Sequence, residues 1–270
     1  MLSKLVCFYL CFKIKNVFSM VLRGHVSSIK CLKVVQHGGL SHLVSGGGRA
    51  QLKVWRLLET ENGLVGTEAA DMMLRGTDKA VRQPWRQAQS TLRHDPETRL
   101  VSLDTIATRE SRLYVFVGCS DSLLRIFVYD QGSLRLYREI EFQSHCVLQV
   151  KSFAAAGGGY SSGHGFLAAG TTGGSLFVWQ TGGGDDDGDI LAAEHGQLKV
   201  HQSGINCIDV RHSEDGETSL LVTGGDDNSL VVSSVSSLAG SEKGRPYIAI
   251  LWRSVSAHAA QITGVHFLGE

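Results

Sequence analysis

The chain has 270 residues, 43% of them apolar, and its 26 Lys and Arg balance 26 Asp and Glu. This is the composition of a folded globular chain, neither disordered nor membrane-embedded, and zero net charge argues against holding naked nucleic acid by bulk electrostatics. Glycine is abundant at 32 residues and proline scarce at 3, which suits an all-β chain with many tight corners.

The first residues, MLSKLVCFYLCFKIKNVF, place Lys4 before an apolar run from Leu5 to Phe12. Lys13 and Lys15 end that run and no small-residue cleavage site follows, so it does not read as a secretory signal. It is also far shorter than the ~20 residues a membrane helix needs. Residues 1–21 read as a non-repeat leader or an edge strand, with NVFSMVLRGH running into a turn.

From here the chain repeats itself. GHVSSIKCLKV at His25, VHQSGINCIDV at His201 and AHAAQITGVHF at His258 align without a gap. Each has an Ile four residues after the His (Ile29, Ile205, Ile262) and an apolar residue three further on (Leu32, Ile208, Val265). SHCVLQVKSF at His145 fits if two residues are dropped from the turn. A second signature follows in LVSGGGRAQLKVW, VFVGCSDSLLRIF, LAAGTTGGSLFVW and LVTGGDDNSLVVS: an apolar run, a Gly-rich turn, then alternation ending near Trp55, Phe127, Trp179 and Ser233. Period-two alternation across a Gly/Asp turn predicts a hairpin. A more variable fourth strand, such as SLRLYREIEF or YIAILWRSV, completes each unit. The units fall near 22–73, 98–142, 145–200 and 201–257, with the start of another at 258–270 and an insertion at 74–97. Any helix is expected within 58–94.

These features resemble the WD40 repeat, whose four-stranded blades stand radially in a β-propeller. The resemblance implies an all-β fold: a partial propeller of about four blades plus the start of a fifth, read as part of a longer chain because the family usually closes with more blades. It also implies a structural staple in each blade, in which a loop His, a turn Asp, a strand Ser or Thr and the closing Trp join. Matching positions are His25, Ser45 and Trp55 in the first blade, Asp121 in the second, His145 and Trp179 in the third, His201, Thr223 and Asp227 in the fourth, and His258 in the fifth. The repeats are degenerate, since Arg49 and Gly173 replace the turn Asp and Ser233 stands where Trp would be.

Four stretches, LVSGGGRAQLKVWRL, RHDPETRLVSL, SHCVLQVKSF and LKVHQSGIN, are similar to the C-terminal propeller of the multi-propeller WD-repeat regulators of tRNA wobble-nucleotide 2′-O-methylation. This resemblance implies a non-catalytic cytoplasmic scaffold whose partners are a tRNA 2′-O-methyltransferase and tRNA, with no cofactor of its own. The alternative is a protein-interaction scaffold with no RNA role in this portion.

The insertion bears on that choice. LRGTDKAVRQPWRQAQSTLRH carries Arg75, Lys79, Arg82, Arg86 and Arg93 against Asp78 alone, with Trp85 among them. Basic groups with an interleaved aromatic can track phosphates and stack a base, which makes Arg82, Trp85, Arg86 and Arg93 the RNA-binding candidates. The bland alternative is a solvated connector whose Trp packs on the propeller. TGGGDDDGD at 181–189 reads as a flexible acidic loop that repels RNA.

Catalysis finds no support: G-x-S-x-G, H-E-x-x-H and P-loop patterns are absent. None of the six cysteines forms a C-x-x-C pair, so no zinc site or other metal is expected. Cys31, Cys119 and Cys207 lie in apolar runs, which points to a reducing compartment.

Overall fold

Alternating apolar residues on either side of glycine-rich turns form strands throughout the computed structural model, which describes residues 6–10, 18–61, 63–74, 98–108, 112–143, 145–155, 165–182, 189–212, 218–237 and 245–268. A short hairpin comes first, β1 (Val6–Leu10) with β2 (Phe18–Leu22). The first four-stranded sheet is β3 (Ile29–His37), β4 (Leu40–Gly47), β5 (Gln51–Thr60) and β6 (Gly63–Met73). The second is β7 (Leu100–Ala107), β8 (Leu113–Cys119), β9 (Leu123–Asp130) and β10 (Ser133–Glu141). The third is β11 (Val147–Ala154), β12 (Gly165–Thr171), β13 (Ser175–Thr181) and β14 (Leu191–Lys199). The fourth is β15 (Ile205–His212), β16 (Ser219–Gly225), β17 (Leu230–Ser237) and β18 (Pro246–Ser254).

Every pairing is antiparallel and follows chain order. First strands β3, β7, β11 and β15 pack against one another in succession, and β6 packs on β10 and β14 on β18. The sheets therefore stand as four consecutive blades of a propeller, first strands innermost and fourth strands outermost. A three-residue 3-10 turn at Gly48–Ala50 is the helical element among the described residues, and part of the 58–94 stretch, Gly63–Met73, is strand.

The core lies between blades. Leu52, Val54, Val115 and Phe127 fill the first seam, Phe116, Ile126, Leu167 and Trp179 the second, and Val178, Ile205, Leu221 and Val231 the third. Each fully buried Leu, Ile or Phe stabilises by ~1.5–3 kcal/mol.

One contact recurs at every seam. The second strand of each blade carries a glycine opposite the first strand, at Gly46, Gly118, Gly170 and Gly224. An aliphatic residue opening the following segment fills the space a Cβ would take: Leu100, Val147, Ile205 and Ile262 respectively. A Cβ on Gly118 would lie 2.9 Å from Val147 Cγ1, and one on Gly170 the same distance from Ile205. The repeated Ile of the His-centred segments thus has a packing reason.

The two ends of the array follow the same pattern. β2 packs beside β6, where Met20 and Leu22 cover Gly66 and join Leu43, Trp55 and Leu57. It therefore stands to blade one as the outer strand of a neighbouring blade would. Residues 258–268 form no strand, yet Ile262 fills the Gly224 hollow and donates its amide to Gly225 O at 3.1 Å.

Candidate functional site

The loop entering each first strand meets the turn between the second and third strands, and this meeting repeats along one rim. Gly48 N donates to Ser28 O, Ser120 N to Arg99 O, Thr172 N to Cys146 O and Asp226 N to Gly204 O, all at 2.9–3.0 Å. The same turn position takes a positive φ each time, at Ala50, Ser122, Gly174 and Asn228 (51°, 67°, 73° and 59°). Glycine and asparagine suit that conformation; alanine and serine hold it at a cost.

In blade four His201 is buried at the centre of a polar cluster. Its Nδ1 lies 2.9 Å from Asp227 Oδ1 and 2.8 Å from Ser229 Oγ, and its Nε2 lies 2.9 Å from Thr223 Oγ1. Asp227 also accepts from the Gln202 amide at 2.8 Å and from the Ser229 amide and hydroxyl. Burial alone would raise the Asp227 pKa, but these donors outweigh it and hold the carboxyl well below the usual carboxylate range. The Trp position is Ser233, fully buried with no partner for its hydroxyl among the described residues. His201→Ala should destabilise the chain by ~1–3 kcal/mol, because Thr223 and Asp227 each lose a buried partner. Unchanged thermal stability would remove the cluster's structural importance.

Blade one solves the same problem differently. The Trp55 indole donates to Ser45 Oγ at 2.8 Å, and the Ser45 hydroxyl lies 2.7 Å from His25 Nε2. Burial, with the nearby Lys53 charge, lowers the His25 pKa and favours the neutral imidazole. Arg49 occupies the turn position, and Gln51 takes over the missing acid's contact. Gln51 Oε1 accepts from the Val26 amide at 3.0 Å, as Asp227 does from Gln202, and Gln51 Nε2 is held by Asp71. Buried Lys53 bridges Glu68 at 2.6 Å and Asp71 at 2.9 Å.

Blades two and three depart from the expected set. Asp121 binds no histidine among the described residues; it pairs with buried Arg125 at 2.7 Å and accepts from Thr98. His145 is exposed, its ring 2.9 Å from where a Gly173 Cβ would sit. Trp179 is packed instead by Phe142, Phe177 and His195. His258 is also exposed, and its backbone amide, 3.4 Å from Asn228 O, is what tethers it. Thus the two most complete sets, around His25 and His201, are joined by hydrogen bonds, while Asp121, His145 and His258 sit on the same rim with other partners.

A second constellation was not anticipated from sequence. Four residues after Ile29 and after the seam-filling Leu100, Val147 and Ile205 the innermost strands carry Lys33, Asp104, Lys151 and Asp209, and His266 stands at the same offset after Ile262. Lys33 reaches Asp104 at 2.6 Å, Lys151 reaches Asp209 at 3.3 Å and His266 reaches Asp209 at 2.8 Å. Each aspartate also accepts a backbone amide from the next segment, Ser152 N for Asp104 and Phe267 N for Asp209. Burial would raise the Asp209 pKa, but the Phe267 and Val210 amides and the Lys151 charge bring it down. The signal was one alternating charge per repeat at a fixed offset, visible only once all first strands are known to share one edge.

Arg82, Trp85, Arg86 and Arg93 lie outside the described residues. The flanks of their segment are described: Leu74 N donates to Ala50 O at 3.0 Å, and Thr98 Oγ1 donates to Asp121 Oδ2 at 3.2 Å. Both ends therefore sit on the turn rim of blades one and two. Among the described residues no group of His, Cys, Asp or Glu could hold a metal ion, and no helix is long and apolar enough to cross a membrane.

Comparison with known proteins agrees with this geometry. Residues 194–232 match the family model described as WD domain, G-beta repeat. The chain is 26% identical over 287 residues to the "tRNA (34-2'-O)-methyltransferase regulator WDR6" of Bos taurus, covering 92% of this chain and 25% of that protein. It is 28% identical over 285 residues to the protein of the same name from Homo sapiens, covering 91% and 25%. It thus spans a quarter of the length of these relatives. Among solved structures, Sqt1 from Chaetomium thermophilum is similar in fold, with a TM-score of 0.57 at 15% identity over 92% of this chain and 53% of that one. The same protein bound to the N-terminus of the ribosomal protein L10 gives 0.57 at 16% identity, covering 92% and 56%. The chain therefore carries a WD40 repeat at 194–232, folds as four consecutive blades of the kind that repeat builds, and is similar over most of its length to the tRNA (34-2'-O)-methyltransferase regulator WDR6.

Proposed function

We propose that the chain is a non-catalytic scaffold that helps a partner tRNA 2′-O-methyltransferase reach the wobble nucleotide. The observation that carries this reading is the likeness to WDR6 regulators along nine-tenths of the chain. The rim supports it in kind. Its best-connected polar groups, His201, Asp227, His25 and Ser45, are bonded to one another within their blades, which suits support rather than proton transfer to a substrate. Such a scaffold needs no chemistry of its own, because holding two reactants in the right geometry lowers a barrier by itself. The methyl donor and the catalytic groups then belong to the partner enzyme, and the work is done in the cytoplasm.

Within this reading Arg82, Arg86 and Arg93 contact phosphates and Trp85 stacks a base, on a segment that leaves and rejoins the rim at Leu74 and Thr98. The second reading is a protein-binding scaffold without RNA contact here, and the Sqt1 structure with a bound ribosomal-protein segment favours it as a use of this fold. The variant R82E/R86E/R93E decides between them. It should weaken tRNA binding and make its salt dependence shallower by up to about 3 in logarithmic slope, roughly 0.9 for each lost phosphate contact, while enzyme binding persists. Loss of wobble methylation with tRNA binding intact would assign the segment to enzyme docking instead. No effect on either returns it to a connector.

A further inference from the structure

The zero net charge hides a polarity. The first 58 residues contain nine Lys and Arg and no Asp or Glu. Residues 1–99 hold 15 basic against 7 acidic side chains, and residues 100–270 hold 11 against 19. A protein binding nonspecifically by overall charge would not need this segregation, whereas one presenting a polyanion to a single end would.

Blade one gives the segregation a place on the rim. Arg23 lies in the loop before β3, Lys30 at the rim end of β3 and Arg49 in the turn before β5, and all three are exposed. The bond from Gly48 N to Ser28 O brings that turn against that loop. The corresponding positions of blade four, counted from the staple histidine and along the turn, are Lys199, Asn206 and Asp227, with Asp226 where blade one has Gly48. One rim is therefore basic at its first blade and acidic at its fourth. At position 49 the loop amide keeps an acceptor without the turn acid, because Gln51 holds the Val26 amide as Asp227 holds that of Gln202 in blade four. In the same blade Glu68 and Asp71 are engaged by Lys53, and Lys33 by Asp104.

We infer that the turn rim of blade one is a phosphate-binding surface for an RNA backbone, formed by Arg23, Lys30 and Arg49. It deepens the RNA reading of the preceding subsection and rests on it. Guanidinium groups meet phosphate oxygens with paired donors, and lysine adds a point charge. Backbone contacts of this kind position a nucleic acid without reading its sequence, as a scaffold for a separate enzyme requires. The acidic blades repel the same backbone and so bias the RNA toward blade one.

The test uses the full chain and a fluorescein-labelled tRNA anticodon stem-loop, with anisotropy titrations between ~50 and ~200 mM salt. R23E/K30E/R49E should bind roughly tenfold or more weakly at low salt, with the logarithmic salt slope shallower by about 2 to 3. R23Q/K30Q/R49Q should fall between it and the parent, which guards against a folding defect in the reversed-charge variant. K199E, at the matching position of blade four, should bind as the parent does. If K199E weakens binding as much as the triple variant, binding follows net charge and the inference fails. If R82E/R86E/R93E weakens binding but R23E/K30E/R49E does not, this inference fails and the proposed function stands. If the parent chain does not bind the stem-loop, both fail.

Discussion

Asp104→Ala should destabilise the chain by about 3–5 kcal/mol, the usual cost of breaking a buried ion pair from one side. The Asp104 side chain is 3% exposed and ties three blades together. Its Oδ1 takes the Lys33 ammonium of blade one at 2.6 Å and the Thr105 amide of its own strand at 2.9 Å, and its Oδ2 takes the Ser152 amide of blade three at 2.8 Å. Alanine leaves both amides without an acceptor in the seam and a cation without its partner. Lys33 is 38% exposed, so water recovers part of its loss, and Lys33→Met should cost less than Asp104→Ala. The double variant should cost clearly less than the sum, since each change removes the reason the other hurts. Denaturant unfolding of the four proteins measures this. A loss under ~1 kcal/mol for Asp104→Ala, or strict additivity, would show that the inner charges are ornaments of the fold rather than part of its closure.

The hairpins were legible in the sequence because alternation and Gly-rich turns are local. GGDDN at 224–228 between two apolar runs fixes a strand, a turn and a strand with no knowledge of the rest. The His-to-Ile spacing exposed the repeat, and the two most complete staple sets, His25 with Ser45 and Trp55 and His201 with Thr223 and Asp227, could be aligned from it. Contacts between blades were not legible. Lys33 and Asp104 are 71 positions apart, and nothing in either strand names the other as its partner. The same holds within a blade when duties are exchanged: Gln51 looks like an ordinary polar residue until its carbonyl is found on the Val26 amide. The turn alignment also misled where it looked for identical residues. Asp121 meets Arg125, which is buried four positions on and donates to both of its carboxylate oxygens, at 3.0 and 2.7 Å. His145 lies over a glycine that offers no acceptor side chain.

Gly170→Val should cost about 1–3 kcal/mol, as overpacking in a closed seam does, and its partner substitution should return much of that loss. A glycine inside a strand is normally a weakness, because it packs nothing and frees the unfolded backbone. Here the missing Cβ is what the seam uses: one built on Gly170 would sit 2.9 Å from both Cβ and Cγ2 of Ile205 and 3.3 Å from Ile208 Cδ1. Cβ atoms are fixed to the backbone, so relief requires moving β15 away from β12 rather than turning a rotamer. Ile205 is fully buried, and Ile205→Ala alone should cost ~2–5 kcal/mol through lost transfer energy and a cavity. Combined with Gly170→Val, the new side chain enters that cavity, and the pair should be more stable than the sum of the singles by at least ~1 kcal/mol. Additivity within ~0.5 kcal/mol would mean that the two side chains do not share one space, and that the recurring glycines at 46, 118, 170 and 224 are not the sockets by which one blade receives the next.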